Sequence, residues 1–205
     1  MKSLMIVGKG VPLDGQNIDT DQIIPGRFVY APRETGEFGH HLFHDQRYLD
    51  NGETISTHPL NDARHAGASF LIAEENFGAG SARPQAVWAI QDYGIEVVLA
   101  VSFGGVFRSN SSRLDLVPAI MKREEILFVK AKVREDPEVE IRLDLRNLTV
   151  SVDQENLGIE MNKLDVFRLT SSLDDLALTK RYGREIQEFE RDYVERFSWA
   201  SLRKS

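Results

Sequence analysis

One stretch constrains the fold more than any other, because two apolar runs flank a glycine-rich turn and a helix-like segment. Ser69–Ala73 is apolar and typical of a strand, and Ile95–Val101 is a nearly continuous run of isoleucine, valine and leucine. Such a run is typical of a strand that is buried on both faces. Pro84–Tyr93 has helical spacing, with proline at the first helical position and Gly94 just past the end. Strand, turn, helix and strand together predict a βαβ unit and an α/β fold.

The region before this unit, Met1–Gly67, is rich in turns. From residue 26 to residue 67 it is punctuated by glycine and proline and contains all five histidines. A loop this long inside a compact domain is usually functional or mobile. We therefore expect 26–67 to be a long mobile loop at the active site.

The region after this unit has the pattern of structural elements. Arg123–Arg134 is helix-like, and Arg184–Phe197 places its large apolar residues on one face, which indicates an amphipathic helix. Glu138–Leu143 and Leu148–Val152 alternate apolar and polar residues around a turn, which predicts a hairpin. We expect residues 1–205 to form one domain, with the hairpin and helices of 122–205 packing on the rest.

Composition excludes several classes of protein. The chain has 205 residues, of which 41% are hydrophobic, as in an ordinary globular protein. No apolar run approaches the ~18 residues that a membrane span needs, and Met1–Gly10 lacks the pattern of a secretory signal. The net charge of −7 argues against nucleic acid as the main partner. We expect a cytoplasmic protein that binds neither nucleic acid nor membrane.

The chain has no cysteine. This excludes a disulfide framework, a cysteine nucleophile and any iron–sulfur cluster held by the chain's own thiolates. A cluster held by a partner chain is not excluded. We expect no metal site on this chain.

Phe77–Arg83 joins the predicted strand to the predicted helix. Gly78 and Gly80 allow a tight turn and the close approach of a ligand, and Arg83 adds a charge with bidentate geometry for a carboxylate or phosphate. The alternative is a glycine turn that only packs the helix on the strand. The spacing fits neither a dinucleotide-binding fingerprint nor a phosphate-binding P-loop.

Two other polar groups have weaker signals. Asp19-Thr20-Asp21 is compatible with a metal site or an orienting carboxylate, but a turn or helix cap is the favoured interpretation. His40 and His44 have the spacing of zinc ligands on a helix, but no glutamate stands between them, so loop histidines are favoured. Arg27 and Arg33 either contact an anion or lie on a solvated face.

These motifs, in their order and spacing, resemble the small-subunit family of 3-isopropylmalate dehydratases, in the aconitase superfamily. The resemblance covers nearly the whole chain. The resembling stretches are Asn17–Pro25, Gly39–Phe43, Glu75–Ser81, Ala86–Ile90, Tyr93-Gly94, Ser102-Phe103, Phe107, Asn110, Leu116–Pro118, Leu173-Asp174 and Leu178-Thr179.

The resemblance implies a swivelling β/β/α domain, of the aconitase C-terminal-domain type, that closes over a separate large subunit in a heterodimer or larger assembly. The large subunit carries a 4Fe–4S cluster whose open iron binds a small dicarboxylate substrate, and this chain binds no cofactor. The implied reaction isomerises 2-isopropylmalate and 3-isopropylmalate by dehydration and rehydration, in leucine biosynthesis. The chain alone is then expected to be inactive.

The same resemblance assigns roles to individual residues. Ser81 is the catalytic base that takes the carbon-bound proton, and Asp21 supports the active site. The substrate-binding positions are Arg83, which binds a carboxylate, together with Thr20, Arg33, Gly80 and Ala82.

Three positions depart from the family pattern. Ala82 replaces a second serine, and Pro84 and Gln85 replace a glutamate and a histidine. The loop 32–37 also has one residue more than the family's Arg-Thr-Gly loop, which faces the variable part of the substrate. Besides a working isomerase subunit, a paralogous hydro-lyase subunit for another substituted malate and a non-catalytic partner subunit therefore stay open.

Overall fold

The computed structural model contains two β-sheets and a set of helices. It describes residues 3–30, 32–33, 37–81, 83–171, 175–197 and 199. Two compact units, Met1–Thr170 and Ser171–Ser205, are distinguished by their internal contacts. The interpretation of 1–205 as one domain stays a prediction.

The first unit contains all eight strands of the described residues. The strands are β1 (Met5–Gly8), β2 (Gly10–Pro12), β3 (Phe70–Ile72), β4 (Val97–Ala100), β5 (Val117–Ile120), β6 (Ile141–Asp144), β7 (Thr149–Val152) and β8 (Glu155–Gly158). Strands β2-β3-β4-β5 form a parallel sheet in that order, and β1-β6-β7-β8 form an antiparallel sheet. The predicted βαβ unit and hairpin are therefore confirmed, with strands a few residues shorter than the apolar runs.

The helices of the first unit are α1 (Thr20–Ile23), α2 (His44–Arg47), α3 (Pro84–Asp92), α4 (Gly105–Arg113), α5 (Arg123–Glu135) and α6 (Lys163–Thr170). The second unit contains α7 (Asp175–Lys180) and α8 (Gly183–Arg196). Among the described residues, no helix has the length and apolar character needed to cross a membrane.

Alternation along β4 explains the layers. Val98 and Ala100 join the core cluster that contains the buried face of α3, whereas Val97 and Leu99 join the cluster that contains the antiparallel sheet and α5. All four residues are fully buried. The parallel sheet is therefore the middle layer of a β/β/α arrangement, and the α/β fold class is confirmed.

The segment 26–67 contains more secondary structure than its composition suggests. It contains α2 and short 3-10 turns at Gly26–Phe28, Glu37–His41, Pro59–Asn61 and Ala63–His65. Phe38, Leu42 and Phe43 are fully buried in the α3 core cluster. These isolated aromatic and leucine side chains anchor part of a segment that has no long apolar run, so the loop-like description is wrong for 37–47.

Candidate active site

Two segments leave the carboxyl ends of the neighbouring parallel strands β2 and β3 and run together to the site. The carbonyl of Ile18 accepts hydrogen bonds from the N–H groups of Gly78 (2.8 Å) and Ala79 (3.1 Å), and the N–H of Thr20 donates to the carbonyl of Ala79 (2.9 Å). Because carboxyl ends of parallel strands lie at one edge of a sheet, ligand sites often form there. Here this edge brings the Asp19–Asp21 and Phe77–Arg83 motifs together.

A pair of asparagines links the two segments by hydrogen bonds at their ends nearer the sheet. Asn17 and Asn76 both have left-handed backbones, with φ of 57° and 56°, which asparagine adopts more readily than most residues. The N–H of Asn17 donates to the carbonyl of Glu75 (2.9 Å), and the side-chain amide of Asn76 donates to Oδ1 of Asn17 (2.9 Å). The direction in which both segments leave the sheet is therefore fixed locally.

Asp19 is the N-cap of α1. Its Oδ1 accepts from the N–H of Gln22 (2.8 Å), while Oε1 of Gln22 accepts from the N–H of Asp19 (2.8 Å). This reciprocal capping box satisfies two orphan amides at the start of the helix. The helix-cap interpretation of Asp19 is confirmed, and Asp21, two residues on, is exposed.

Ser81 is exposed, and its backbone is held from the side of α1. The hydroxyl of Thr20, which is 1% exposed, donates to the carbonyl of Ser81 (3.2 Å). Gly80 precedes Ser81 with φ of +89°, and a Cβ built there would lie 3.6 Å from Oγ1 of Thr20. The positive φ, which favours glycine, turns the chain at the residue before the exposed Ser81.

Arg83 forms an ion pair with Asp21 across the two segments, from Nη1 to Oδ1. The Arg83 side chain is 25% exposed and that of Asp21 is 58% exposed. A guanidinium has five N–H donors in a fixed plane, so a carboxylate partner on one nitrogen leaves donors for a substrate carboxylate. Asp21 therefore holds the guanidinium of Arg83 against the segment that contains α1.

The start of α3 contributes less to anion binding than its position suggests. Pro84 has no N–H, and the N–H of Ala86 donates to the carbonyl of Arg83 (3.2 Å). Two of the first three positions of α3 thus offer no free amide, and the positive charge at this end comes chiefly from Arg83. The side chain of Gln85 is engaged elsewhere, because its Nε2 donates to the carbonyl of Val29 (3.1 Å).

The floor beneath the turn is aromatic and closely packed. Phe77, Phe103 and Phe107 form a cluster with ring centroids 5.4–6.3 Å apart. A Cβ at Gly78 would lie 2.2 Å from Cγ of Phe107, and a Cβ at Gly104 would lie 2.3 Å from the carbonyl oxygen of Gly78. The turn can therefore sit on its floor only without side chains at these two positions.

Other residues predicted for the site lie elsewhere. Nη1 of Arg33 lies 2.7 Å from both carboxylate oxygens of Asp92, and its guanidinium lies 5.4 Å from the ring of Trp88. Asp92 ends α3, so Arg33 is at the opposite end of that helix from Arg83. The structure thus brings together Thr20, Asp21, Gly80, Ser81 and Arg83 but not Arg33.

Three expectations fall on residues that the structure does not describe. Ala82 and the loop residues 34–36 lie outside the described residues, as do Leu173 and Asp174 of the resembling C-terminal segment.

The histidines of 40–44 do not share a helix, because His40 lies in a 3-10 turn and α2 begins at His44. Arg27 lies nearby and pairs with Asp45, and its hydrogen bond holds the pKa of Asp45 below the usual value. Among the described residues, no group of three or more histidine, aspartate or glutamate side chains is arranged to hold a metal ion.

Sequence reasoning missed two glycines at the site. Gly26 borders the ion pair, since a Cβ there would lie 3.6 Å from Oδ1 of Asp21 and 3.8 Å from Nη1 of Arg83. Gly104 packs on the turn itself. The only signals were the Pro25-Gly26 pair and the Gly104-Gly105 pair, which in sequence look like ordinary turns.

Comparisons with known proteins give one consistent result. Residues 2–124 match the model of the aconitase C-terminal domain family. The 3-isopropylmalate dehydratase small subunit of Bordetella avium is 35% identical over 206 aligned residues, covering 96% of this chain and 95% of that protein. Small subunit 1 of Bordetella parapertussis gives the same values.

A solved structure agrees with these relatives. The 3-isopropylmalate dehydratase of Methanocaldococcus jannaschii has a TM-score of 0.63 and 26% identity, covering 90% of this chain and 99% of that one. The shared fold and the near-complete coverage by relatives point to a single assignment. The chain belongs to the small-subunit family of 3-isopropylmalate dehydratases, within the aconitase C-terminal domain family.

Proposed function

We propose that this chain is the small subunit of a hydro-lyase that interconverts 2-isopropylmalate and 3-isopropylmalate in leucine biosynthesis. One observation carries the proposal beyond family membership. The exposed Ser81 and the Arg83–Asp21 ion pair stand on the same pair of hydrogen-bonded segments. A base and a carboxylate-binding guanidinium at one site are the groups that proton removal from a dicarboxylate needs.

The reaction assigned to this chain is a proton transfer. Ser81, as its alkoxide, takes the carbon-bound proton while the C–O bond of the adjacent carbon breaks, which gives an alkene and a hydroxide. Addition of hydroxide to the carbon that lost the proton, with return of the proton from Ser81 to the carbon that lost the hydroxyl, gives the isomer and restores the alkoxide. A serine hydroxyl is a poor base near neutral pH, so the alkoxide requires nearby positive charge. Arg83 supplies that charge and also binds a substrate carboxylate.

The cofactor belongs to the partner in this proposal. A 4Fe–4S cluster needs thiolate ligands, and the chain has no cysteine, so its own residues do not fit the group. A cluster on the large subunit supplies a Lewis acid for the substrate hydroxyl. This chain supplies the base and the guanidinium, swivels over the large subunit in a heterodimer or larger assembly, and is inactive alone. With a soluble dicarboxylate as substrate, we place the enzyme in the cytoplasm, without nucleic acid or membrane as partner.

A hydro-lyase for another substituted malate is the second candidate. At the start of α3, Pro84 stands where the family pattern has a residue with a backbone N–H, and proline has none. The side chain of Gln85 donates to the carbonyl of Val29. The surroundings of Ser81 and Arg83 therefore differ from the family pattern on the side where Gly26 and Val29 lie. A change of substrate side chain is the expected consequence of such a difference.

The test is to co-express this chain with the large subunit of its own organism and to assay a panel of alkylmalates without oxygen. Turnover of 2-isopropylmalate in preference to methyl- and ethylmalate supports the first proposal. Preference for a different alkylmalate supports the second candidate. A stoichiometric complex with an intact cluster and no turnover of any alkylmalate contradicts both.

A further inference from the structure

A buried lysine lies at the root of the active-site segments and has no role in the proton transfer. Lys130, on α5, is 1% exposed. Its Nζ donates to the carbonyl of Leu13 (3.0 Å) and to Oε1 of Glu74 (2.6 Å), and it lies 2.6 Å from Oδ1 of Asp14. Leu13 directly follows β2, and Glu74 stands two residues after β3. The ammonium therefore joins the ends of the two strands from which the site is built.

A buried charge is costly unless it is paired and hydrogen-bonded. The three oxygen partners match the three donors of an ammonium group, so Lys130 is satisfied only while both strand ends stay in place. A methionine or leucine at this position would fill the same space in the core without that requirement. The charge thus specifies one relative position of the two strand ends.

A second cation on α5 forms an ion pair with Glu75, the residue that follows Glu74 in the chain. This cation is Arg123, the first residue of α5. Glu75 is also the residue whose carbonyl accepts from the N–H of Asn17. Both residues that lead into the catalytic turn are therefore held by α5, which packs on the side of the sheet away from α3.

We propose that Lys130 is a positioning residue for Ser81 and Arg83, a role that rests on the proposed function. Lys130 sets the separation of the strand ends, and the hydrogen bonds between Ile18, Ala79 and Thr20 carry that separation to Ser81. Movement at the root then shifts the base relative to the substrate. Since a misplacement of about 1 Å can cost ~100-fold in rate, the effect falls on kcat more than on KM.

The experiment uses the full chain alone and in complex with its large subunit. Lys130→Met removes the charge, and Lys130→Met/Glu74→Gln also removes the carboxylate that the first change leaves unpaired. Lys132→Met is the matched control, because Lys132 lies two residues on in α5 and makes a partly exposed ion pair with Asp153 (3.1 Å) and a contact with the ring of Phe128, neither of which touches the strand ends. Hydrogen exchange is followed at the amides of Thr20, Gly78 and Ala79, with Leu99 in β4 as reference.

We expect both Lys130 variants to lose at least about 10-fold in kcat with KM within ~2-fold of wild type. The three site amides exchange faster in both, the Leu99 amide does not, and Lys132→Met behaves as wild type. If Lys130→Met does not fold, the double variant decides. Wild-type kcat and exchange in the double variant, with only a lower melting temperature, would overturn the proposal. If the wild-type complex turns over no alkylmalate, the proposed function fails, and unchanged exchange at the site amides still refutes the positioning role.

Discussion

Replacing Gly104 by alanine tests whether the turn at Gly78 and Ala79 is packed as tightly as the structure shows. The backbone at Gly104 has φ of −58°, which any residue adopts, so the change acts through space alone. The new Cβ would lie 2.3 Å from the carbonyl oxygen of Gly78, 2.9 Å from its carbonyl carbon and 3.1 Å from Cα of Ala79. Carbon–oxygen contacts rarely fall below about 3.3 Å, so the turn must move by about 1 Å.

That movement has two measurable consequences. Overpacking of this kind costs about 1–3 kcal/mol, which for a chain of this length lowers the melting temperature by about 2–12 °C. A shift of about 1 Å at the turn lowers kcat of the complex by as much as ~100-fold.

Gly105→Ala is the matched control for this prediction. A Cβ at Gly105 would meet nothing within 4 Å, and this residue begins α4. Since alanine favours helix over glycine, the control keeps or slightly raises the melting temperature and keeps kcat. Melting is measured by circular dichroism and kcat on the complex. Equal melting temperatures and equal kcat for the two variants would refute the packing argument.

Three further predictions use other parts of the structure. Arg83→Lys raises KM more than it lowers kcat, because lysine loses the bidentate fork; Arg33→Lys raises KM as well only if Arg33 leaves Asp92 to reach the substrate. Burial, and to a smaller extent the charge of Arg47, lower the pKa of His58 from 6.5 to about 4. As the pH falls, His58 is therefore protonated in the unfolded chain before it is protonated in the folded one. The free energy of unfolding falls by roughly 3 kcal/mol as the pH drops from 6.5 toward 4. His58→Gln removes this dependence, and equal slopes of melting temperature against pH in the two proteins would contradict it. In hydrogen exchange, amides of the mostly exposed residues 49–57 exchange faster than those of Val97–Ala100, and equal protection refutes the mobility that we expect of this part of 26–67.

Local patterns account for the parts of the fold that the sequence predicted. Pro84 and Gly94 bound α3 because a helix tolerates proline at its first position and commonly ends at glycine. The continuous apolar run around β4 reflects burial on both faces. In each case a few neighbouring residues determine the element, so no knowledge of distant contacts is needed.

The parts that the sequence did not predict depend on distant residues. Strand β1 pairs with β6, more than 130 residues away, and each of these strands has only four residues. Phe38 is buried although its neighbours are Glu37 and Gly39, because the 3-10 turn Glu37–His41 packs against α3. Alternating patterns indicate a strand but not its partner, and single apolar residues in a loop have no period to detect.

The candidate site divides in the same way. The resemblance identified Ser81 and Arg83, whose motif is continuous in sequence. The other contacts join residues that are 56–62 positions apart in the sequence. They are the ion pair of Arg83 with Asp21, the approach of Gly26 to Arg83 and the contact of Lys130 with Glu74. Arg33 shows the converse, since its charge suited an anion site but Asp92 at the far end of α3 binds it.

The most direct test of the account is the kinetics of Ser81→Ala in the reconstituted complex. Because Ser81 is exposed and its carbonyl, not its side chain, accepts from Thr20, alanine should leave the melting temperature and the assembly unchanged. Loss of a general base lowers kcat by about 100-fold or more with little change in KM. A Ser81→Ala complex with undiminished turnover, on the alkylmalate that the wild-type complex accepts, would contradict the assignment of this chain as the subunit that supplies the base.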